Sequence, residues 1–151
     1  MKHGLASMVL PILALAFFSS YAGDGAIRSP QAAGRSYAQN YKDMVLAECI
    51  ARAYGNEPEA TLDAGSSASA LMDWTRFDLE KAPDASRSLV ESYLARDYRN
   101  PLVEAEVKDV RFDLLKCLDL YHGKKLDAQA KRLVMSPKRT FRQDNPPARL
   151  K

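Results

Sequence analysis

Apolar residues recur every three or four positions through most of this sequence, which is the repeat of an amphipathic helix. No stretch of useful length alternates apolar and polar residues as a half-buried strand does. The longest stripe runs from Val103 to Tyr121 at spacings of four, three, four, three and four residues, and we expect one continuous central helix there. The sequence therefore predicts an all-α fold, a compact bundle of about five to six helices.

The other helices are predicted from shorter stripes and from the residues that flank them. One helix runs from Tyr37 to about Tyr54 and is followed by Gly55, at a position where a helix C-terminus favours a left-handed residue. Gly123 is expected to terminate the central helix in the same way. Further helices are expected from Pro58, after Pro83 and over residues 126–134.

The first 22 residues have the layout of a secretory signal. Lys2 precedes an apolar stretch at 5–18 that is too short to span a bilayer, and Ser20 and Ala22 fit the positions that a signal peptidase reads. We expect cleavage after Ala22, which leaves a periplasmic protein without a membrane span. A retained membrane anchor is the alternative, although no basic stop-transfer cluster follows the stretch.

The expected mature chain has three parts. Residues 23–36 are rich in Gly, Ser and Ala and predict a flexible lead-in to a helical domain at 37–134. Residues 135–151 contain three prolines and five basic residues opposed by Asp144 alone, which is typical of a disordered basic tail. The formal net charge of the whole chain is only +3, which does not indicate a protein that binds nucleic acid.

Cys49 and Cys117 are the only cysteines, and each falls on the apolar face of its predicted helix. An exported protein meets an oxidising compartment, where thiols pair. One interhelical disulfide between the first ordered helix and the central helix is therefore the simplest interpretation. Two buried free thiols that pack as small hydrophobic groups are the alternative.

The sequence shows no convincing reactive constellation. The expected mature chain has one histidine, His122, and two cysteines that are better explained as a pair, so we predict no metal site and no cofactor. A Cys–His nucleophile would require His122 and Cys117, which face different sides of one helix. Phosphate-binding loops and nucleophile elbows do not occur in the sequence. We therefore expect a protein that is not an enzyme.

Two segments carry the residue types that are enriched at protein interfaces. The first is the loop before the central helix, at 96–100, and the second is an aromatic segment that contains Trp74 and Phe77. Tyr, Trp and Arg bury much area at small entropic cost when proteins bind one another. Ordinary packing is the alternative for both segments, and for Trp74 it is the favoured one.

The segment 115–127, LKCLDLYHGKKLD, resembles the type VI secretion amidase immunity proteins, in particular the class that neutralises the fourth group of amidase effectors. The likeness rests on KCLDLYH followed by KLD, with a cysteine about 70 residues earlier in YKDMVLAECI. It extends loosely over residues 37–134. The resemblance implies a periplasmic, all-helical and typically dimeric protein that occludes an incoming peptidoglycan amidase, a Cys–His hydrolase.

The resemblance also implies how such a protein acts. A cysteine amidase works through a narrow cleft, and a loop inserted into that cleft stops substrate entry without any chemistry of its own. Carried onto this sequence, the expected partner-binding residues are Arg96, Asp97, Tyr98, Arg99 and Asn100, with Trp74, Arg76 and Asp78 as a second contact. A non-catalytic periplasmic adaptor, whose basic tail binds anionic cell-envelope polymer, is the alternative function.

Overall fold

A computed structural model of the protein describes residues 30–146. The expected signal at 1–22 lies outside these residues, as do the first part of the expected lead-in and the last five residues. The described elements are a 3-10 helix η1 (Gln31–Gly34) and the helices α1 (Tyr37–Ala53), α2 (Pro58–Met72), α3 (Ala82–Leu94), α4 (Pro101–Glu106), α5 (Asp113–Tyr121), α6 (Lys124–Leu133) and α7 (Phe141–Asp144). The only β-pairing among the described residues is two isolated bridges, so the all-α prediction is confirmed.

Helix α1 is the centre of the bundle. It packs against α2, α3, α5 and α6, and Ser36 begins it by accepting a hydrogen bond from the backbone N–H of Gln39. Four residues at steps of four along one face are fully buried: Tyr37, Tyr41, Val45 and Cys49. This unbroken apolar row explains why the other helices assemble around α1.

The predicted disulfide is confirmed. Cys49 in α1 and Cys117 in α5 are bonded and fully buried, with their Cα atoms 5.7 Å apart. The bond closes a loop with a sequence separation of 68 residues, which in the chain-entropy description stabilises the fold by about 4 kcal/mol. The disulfide therefore fixes α5 against α1.

The predicted continuous helix from Val103 to Tyr121 is wrong in its first half. The chain leaves the helix after α4 and returns to it only at Asp113, because Asp109 and Phe112 adopt left-handed backbone angles, with φ of 58° and 55°. Helix α4 has no buried residue, so its apolar stripe has no neighbour to pack against. A short stretch rich in β-branched valines does not stay helical without such packing.

The two glycines expected to end helices do not act through a left-handed backbone. Among the described residues no glycine has a positive φ. Gly123 instead permits a close approach, because a Cβ atom there would lie 2.5 Å from the hydroxyl of Tyr93 and 2.8 Å from the carbonyl oxygen of Asp119. Gly123 is required for packing and not for its conformational freedom.

The expected flexible lead-in and disordered tail are corrected over the part of each that the structure describes. Residues 30–37 and 135–146 are folded against each other, and we call these two segments the terminal clasp. Arg139 accepts a backbone hydrogen bond from Tyr37 at 2.8 Å, and Pro137 accepts one from Ala38 at 3.0 Å. Thr140 and Gln143 form a capping box that starts α7. Low hydrophobicity suggested disorder, but hydrogen bonds between the two ends of the chain, together with the capping box, order both segments.

Over residues 30–146, no helix has both the length and the apolar character needed to cross a bilayer.

Candidate functional site

The loop at 96–100 lies between α3 and α4, as expected, and two of its side chains fasten it to the fold. The guanidinium of Arg96 stacks on the ring of Tyr93, 3.4 Å from the ring centroid. Tyr98 donates a hydrogen bond of 2.6 Å from its hydroxyl to Asp119 Oδ2 in α5. This hydrogen bond raises the pKa of Tyr98, and a longer contact with Arg96 joins the two anchors. Arg96 and Tyr98 therefore position the loop.

The other three loop residues face solvent. The side chains of Asp97 and Arg99 are 77% and 72% exposed and form an ion pair at 3.2 Å. Asn100 caps α4, because its side-chain oxygen accepts hydrogen bonds from the backbone N–H groups of Leu102 and Val103. Asp97 and Arg99 are thus the loop side chains with most surface free for a partner.

A buried ion pair at the start of α5 connects this helix to the end of α3, next to the loop. Lys116 is almost fully buried, and its ammonium group donates to Asp113 Oδ1 at 3.0 Å and to the carbonyl oxygen of Leu94 at 3.2 Å. Leu94 is the last residue of α3, and the loop follows two residues later. Arg111 also pairs with Asp113. The start of α5 is therefore tied to the point at which the chain enters the loop.

The C-terminal end of α5 is tied to α1 in a similar way. The hydroxyl of Tyr121 accepts a hydrogen bond from Gln39 at 2.6 Å and donates one to Asp43 at 3.0 Å. The ammonium group of Lys42 lies 5.0 Å from the ring centroid of Tyr121. Burial, and then the hydrogen bond to Asp43, raises the pKa of Tyr121. The KCLDLYH motif is thus a positioning element, which holds α5 and the loop against the core.

The second expected contact segment does not join the loop. Arg76 accepts a backbone hydrogen bond from Met135 at 2.9 Å and stacks over Tyr37, so it belongs beside the terminal clasp. Asp78 accepts hydrogen bonds from the N–H groups of Glu80 and Lys81 in the turn before α3, and the hydrogen bond from Lys81 lowers the pKa of Asp78.

Trp74 belongs to the same region and is half-buried. Its carbonyl oxygen accepts a hydrogen bond of 2.9 Å from the side chain of Asn40, near the start of α1. Phe77 is buried, with its ring centroid 5.6 Å from that of Tyr41. The aromatic segment therefore contributes partly to the core.

An apolar face next to the loop was not expected from the sequence. Leu114, Leu115 and Leu118 in α5 are 47%, 46% and 39% exposed, although Leu114 belongs to the stripe that was expected to be buried. Leu102 and Val107 in and after α4 are exposed as well. An i, i+1, i+4 cluster was visible in the sequence, but periodicity does not tell which side of a helix meets the core.

Grooves separate these exposed features. One of about 590 Å³ is lined by the loop and by α4 and the residues that follow it. Another of about 690 Å³ lies between residues 107–115 and the turn after α1, which contributes Ala53 and Tyr54.

The terminal clasp contacts the first residues of α1. The loop side and the clasp therefore lie towards opposite ends of a 17-residue helix, which is about 25 Å long.

Neither the Cys–His pair nor a metal-binding cluster is formed among residues 30–146. Cys117 is in the disulfide, so it is not a free thiol that His122 could activate. His122 is exposed and packs edge-on against Tyr121, with the ring centroids 5.0 Å apart. Within residues 30–146, no three His, Cys, Asp or Glu side chains are grouped so that they could hold a metal ion.

Comparisons with known proteins bear on the same region. The sequence model of the family described as Tai4, type VI secretion system amidase immunity protein, matches residues 39–130. A solved structure described as "New Type VI-secreted toxins and self-resistance proteins in Serratia marcescens" is similar, with 29% identity and a TM-score of 0.70. The match covers 79% of this chain and 94% of that chain. Comparison with curated proteins gave no significant match.

Proposed function

We propose that this chain, which belongs to the family of type VI secretion system amidase immunity proteins, protects its cell by covering the active-site cleft of an amidase effector. The single observation that carries the proposal is the loop at 96–100, which is fastened at Arg96 and Tyr98 and exposes Asp97 and Arg99. A loop that is ordered before binding loses less conformational entropy when it enters a cleft.

The charges on the loop favour contact with polar groups at the mouth of a cleft. Asp97 and Arg99 form a surface ion pair, and such a pair contributes little to stability. Its side chains are therefore available to exchange partners, and matched charges across an interface speed association and select the partner. The expected partner is a Cys–His hydrolase that cuts peptidoglycan, which places the encounter in the periplasm and requires the signal expected at 1–22.

Inhibition by steric block requires no chemistry from this chain. His122, the one histidine of the described part, is exposed at the end of α5. Cys117, five residues earlier, is bonded to Cys49 and has no free thiol. We therefore assign the protein a binding role without catalysis.

We also propose a homodimer, which the resemblance implies. The exposed face of Leu114, Leu115 and Leu118 in α5 supports it, because contiguous exposed apolar patches mark interaction sites. Two copies that meet through this face would each keep the loop charges at the edge of the interface. Binding of the amidase by the same face is the competing outcome.

Calorimetric titration of the cognate amidase tests the proposal. Asp97→Ala combined with Arg99→Ala should weaken binding about a hundredfold, which is a loss of about 2.7 kcal/mol and lies in the range for truncation of interface anchors. Glu59→Ala combined with Lys131→Ala is the matched control, because it removes one exposed charge of each sign from α2 and α6. Equal affinity of the two double variants would show that the loop lies outside the interface. No binding by the wild-type chain would refute the proposed function.

A further inference from the structure

The basic charge of this chain is concentrated in the terminal clasp. Residues 30–37 and 135–146 contain the four basic residues Arg35, Lys138, Arg139 and Arg142 against the single acidic residue Asp144. The helical body at 38–134 contains 14 basic residues against 17 acidic ones. A clasp with net charge +3 is thus attached to a body with net charge −3.

One carboxylate of the clasp, Asp144, holds two arginines in place, Arg139 in the clasp and Arg76 in the adjoining body. The side chain of Asp144 is only 12% exposed, accepts a hydrogen bond of 2.8 Å from Tyr37, and pairs with both Arg139 and Arg76. The hydrogen bond from Tyr37, and then the one from Arg139, lowers the pKa of Asp144. The two arginine side chains remain 54% and 56% exposed. One buried negative charge thus orients two guanidinium groups that still face solvent.

Two further cations extend this surface. Lys138 and Arg142 are exposed, and across the described ranges neither has a carboxylate within ion-pairing distance. Arg142 lies over η1, since a Cβ atom built on Gly34 would be 3.8 Å from its Nη1. The capping box of α7 fixes the backbone next to Arg142. The clasp therefore presents a folded basic surface, where the sequence had suggested a tail without fixed structure.

We infer that the terminal clasp is a binding surface for the phosphate headgroups of anionic phospholipid. The sequence continues from the clasp into more basic residues, Arg28 upstream and Arg149 and Lys151 downstream. Exposed Lys and Arg side chains that cluster on one surface are attracted by the negative surface potential of a bilayer that contains anionic lipid. Nucleic acid is disfavoured because Phe141 is the only aromatic residue of the clasp besides Tyr37, which is fully buried.

The position of the clasp predicts how the protein is oriented when it is bound to a bilayer. The clasp contacts the beginning of α1, whereas the grooves beside residues 107–115 lie at the end of α1, about 25 Å away. An anionic bilayer attracts the clasp and repels the acidic body, so the bound molecule points the loop side away from the lipid. This inference is independent of the proposed amidase binding, because the clasp residues beyond 130 lie outside the range that the family model matches.

Vesicle sedimentation at low salt tests the inference with residues 23–151, the expected mature chain. Binding is expected to vesicles that contain phosphatidylglycerol and not to vesicles of phosphatidylcholine, and it should disappear at 0.5 M salt because of charge screening. Lys138→Gln combined with Arg142→Gln should raise the dissociation constant about thirtyfold, since each basic residue near an anionic surface contributes a factor of about five. Lys124→Gln combined with Lys125→Gln removes the same charge from the exposed start of α6 and should leave binding nearly unchanged.

Three results would overturn the inference. Equal binding to both kinds of vesicle would show apolar insertion without headgroup recognition. Equal losses in the two double variants would show that net charge acts without a defined surface. Binding to a soluble polyanion such as polyphosphate, with none to phosphatidylglycerol, would assign the clasp to a polymer and not to a bilayer. Thermal unfolding of each variant at the wild-type temperature excludes misfolding as the cause.

Discussion

The hydroxyl of Tyr98 donates a hydrogen bond to Asp119, with 2.6 Å between the two oxygen atoms, and this contact joins the exposed loop to α5. Asp119 lies two residues after Cys117, which the disulfide holds against α1. The order of the loop therefore depends on the core through a short chain of contacts. This explains why a motif on a supporting helix, and not the loop itself, carries the resemblance to the immunity family.

The disulfide should provide a large share of the stability. Replacing both Cys49 and Cys117 with serine is expected to lower the free energy of unfolding by about 4 kcal/mol, because the open chain gains conformational entropy. Urea denaturation followed by far-ultraviolet circular dichroism measures the change. The wild-type protein unfolded in the presence of a reductant should resemble the variant, and an unchanged midpoint would contradict a structural role for the bond.

Gly123 should not tolerate even one additional methyl group. Gly123→Ala places a Cβ atom against the carbonyl oxygen of Asp119 and the hydroxyl of Tyr93, so we expect destabilisation of about 2 kcal/mol. Gly65→Ala is the matched control, since nothing lies within 4 Å of its Cβ position in α2. That control should stabilise the protein by about 0.5–1 kcal/mol. Similar effects of the two changes on thermal unfolding would refute the packing constraint.

Acid should loosen the clasp through Asp144. The pKa of Asp144 is lowered in the folded protein by its hydrogen bond from Tyr37, so its contribution to stability is present above the unfolded value of about 3.9. The contribution is lost as the pH falls from that value through the lower folded pKa. Thermal unfolding measured between pH 2.5 and 6 should show a shallower acid loss for Asp144→Asn than for the wild type. An identical pH dependence of the two proteins would count against this role.

The exposed face of α5 should mediate self-association. Leu115→Glu combined with Leu118→Glu places charges in the proposed interface, and we expect the dimer to dissociate to monomers in sedimentation equilibrium. Leu62→Glu, at a 72% exposed position in α2, should leave the dimer intact. If the wild-type chain is monomeric and only amidase binding suffers in the leucine variant, the face belongs to the heteromeric interface.

Patterns with a strong local cause could be predicted from the sequence. The helix from Tyr37 to about Tyr54 and the pairing of Cys49 with Cys117 both correspond to structure. The stripe that begins with Val103 and Val107 led to the wrong prediction of a continuous helix. Periodicity indicates amphipathic character, but it does not show whether a neighbouring helix is present to cover the apolar face.

The terminal clasp could not be predicted for a different reason. Its order comes from pairings between the two ends of the chain, such as the hydrogen bond between Tyr37 and Asp144, which are 107 residues apart. Composition within one segment contains no information about such a partner. In the candidate site, likewise, the division of the loop between anchors and free side chains depends on Asp119 and Tyr93, which lie outside the loop.

The rate of peptidoglycan hydrolysis by the cognate amidase, measured while this protein is titrated in, tests the role of the loop most directly. With the amidase held below the wild-type dissociation constant, the Asp97→Ala, Arg99→Ala variant should need about a hundredfold higher concentration than the wild-type protein for half-maximal inhibition. Full inhibition by that variant at the wild-type concentration would contradict insertion of the loop into the cleft.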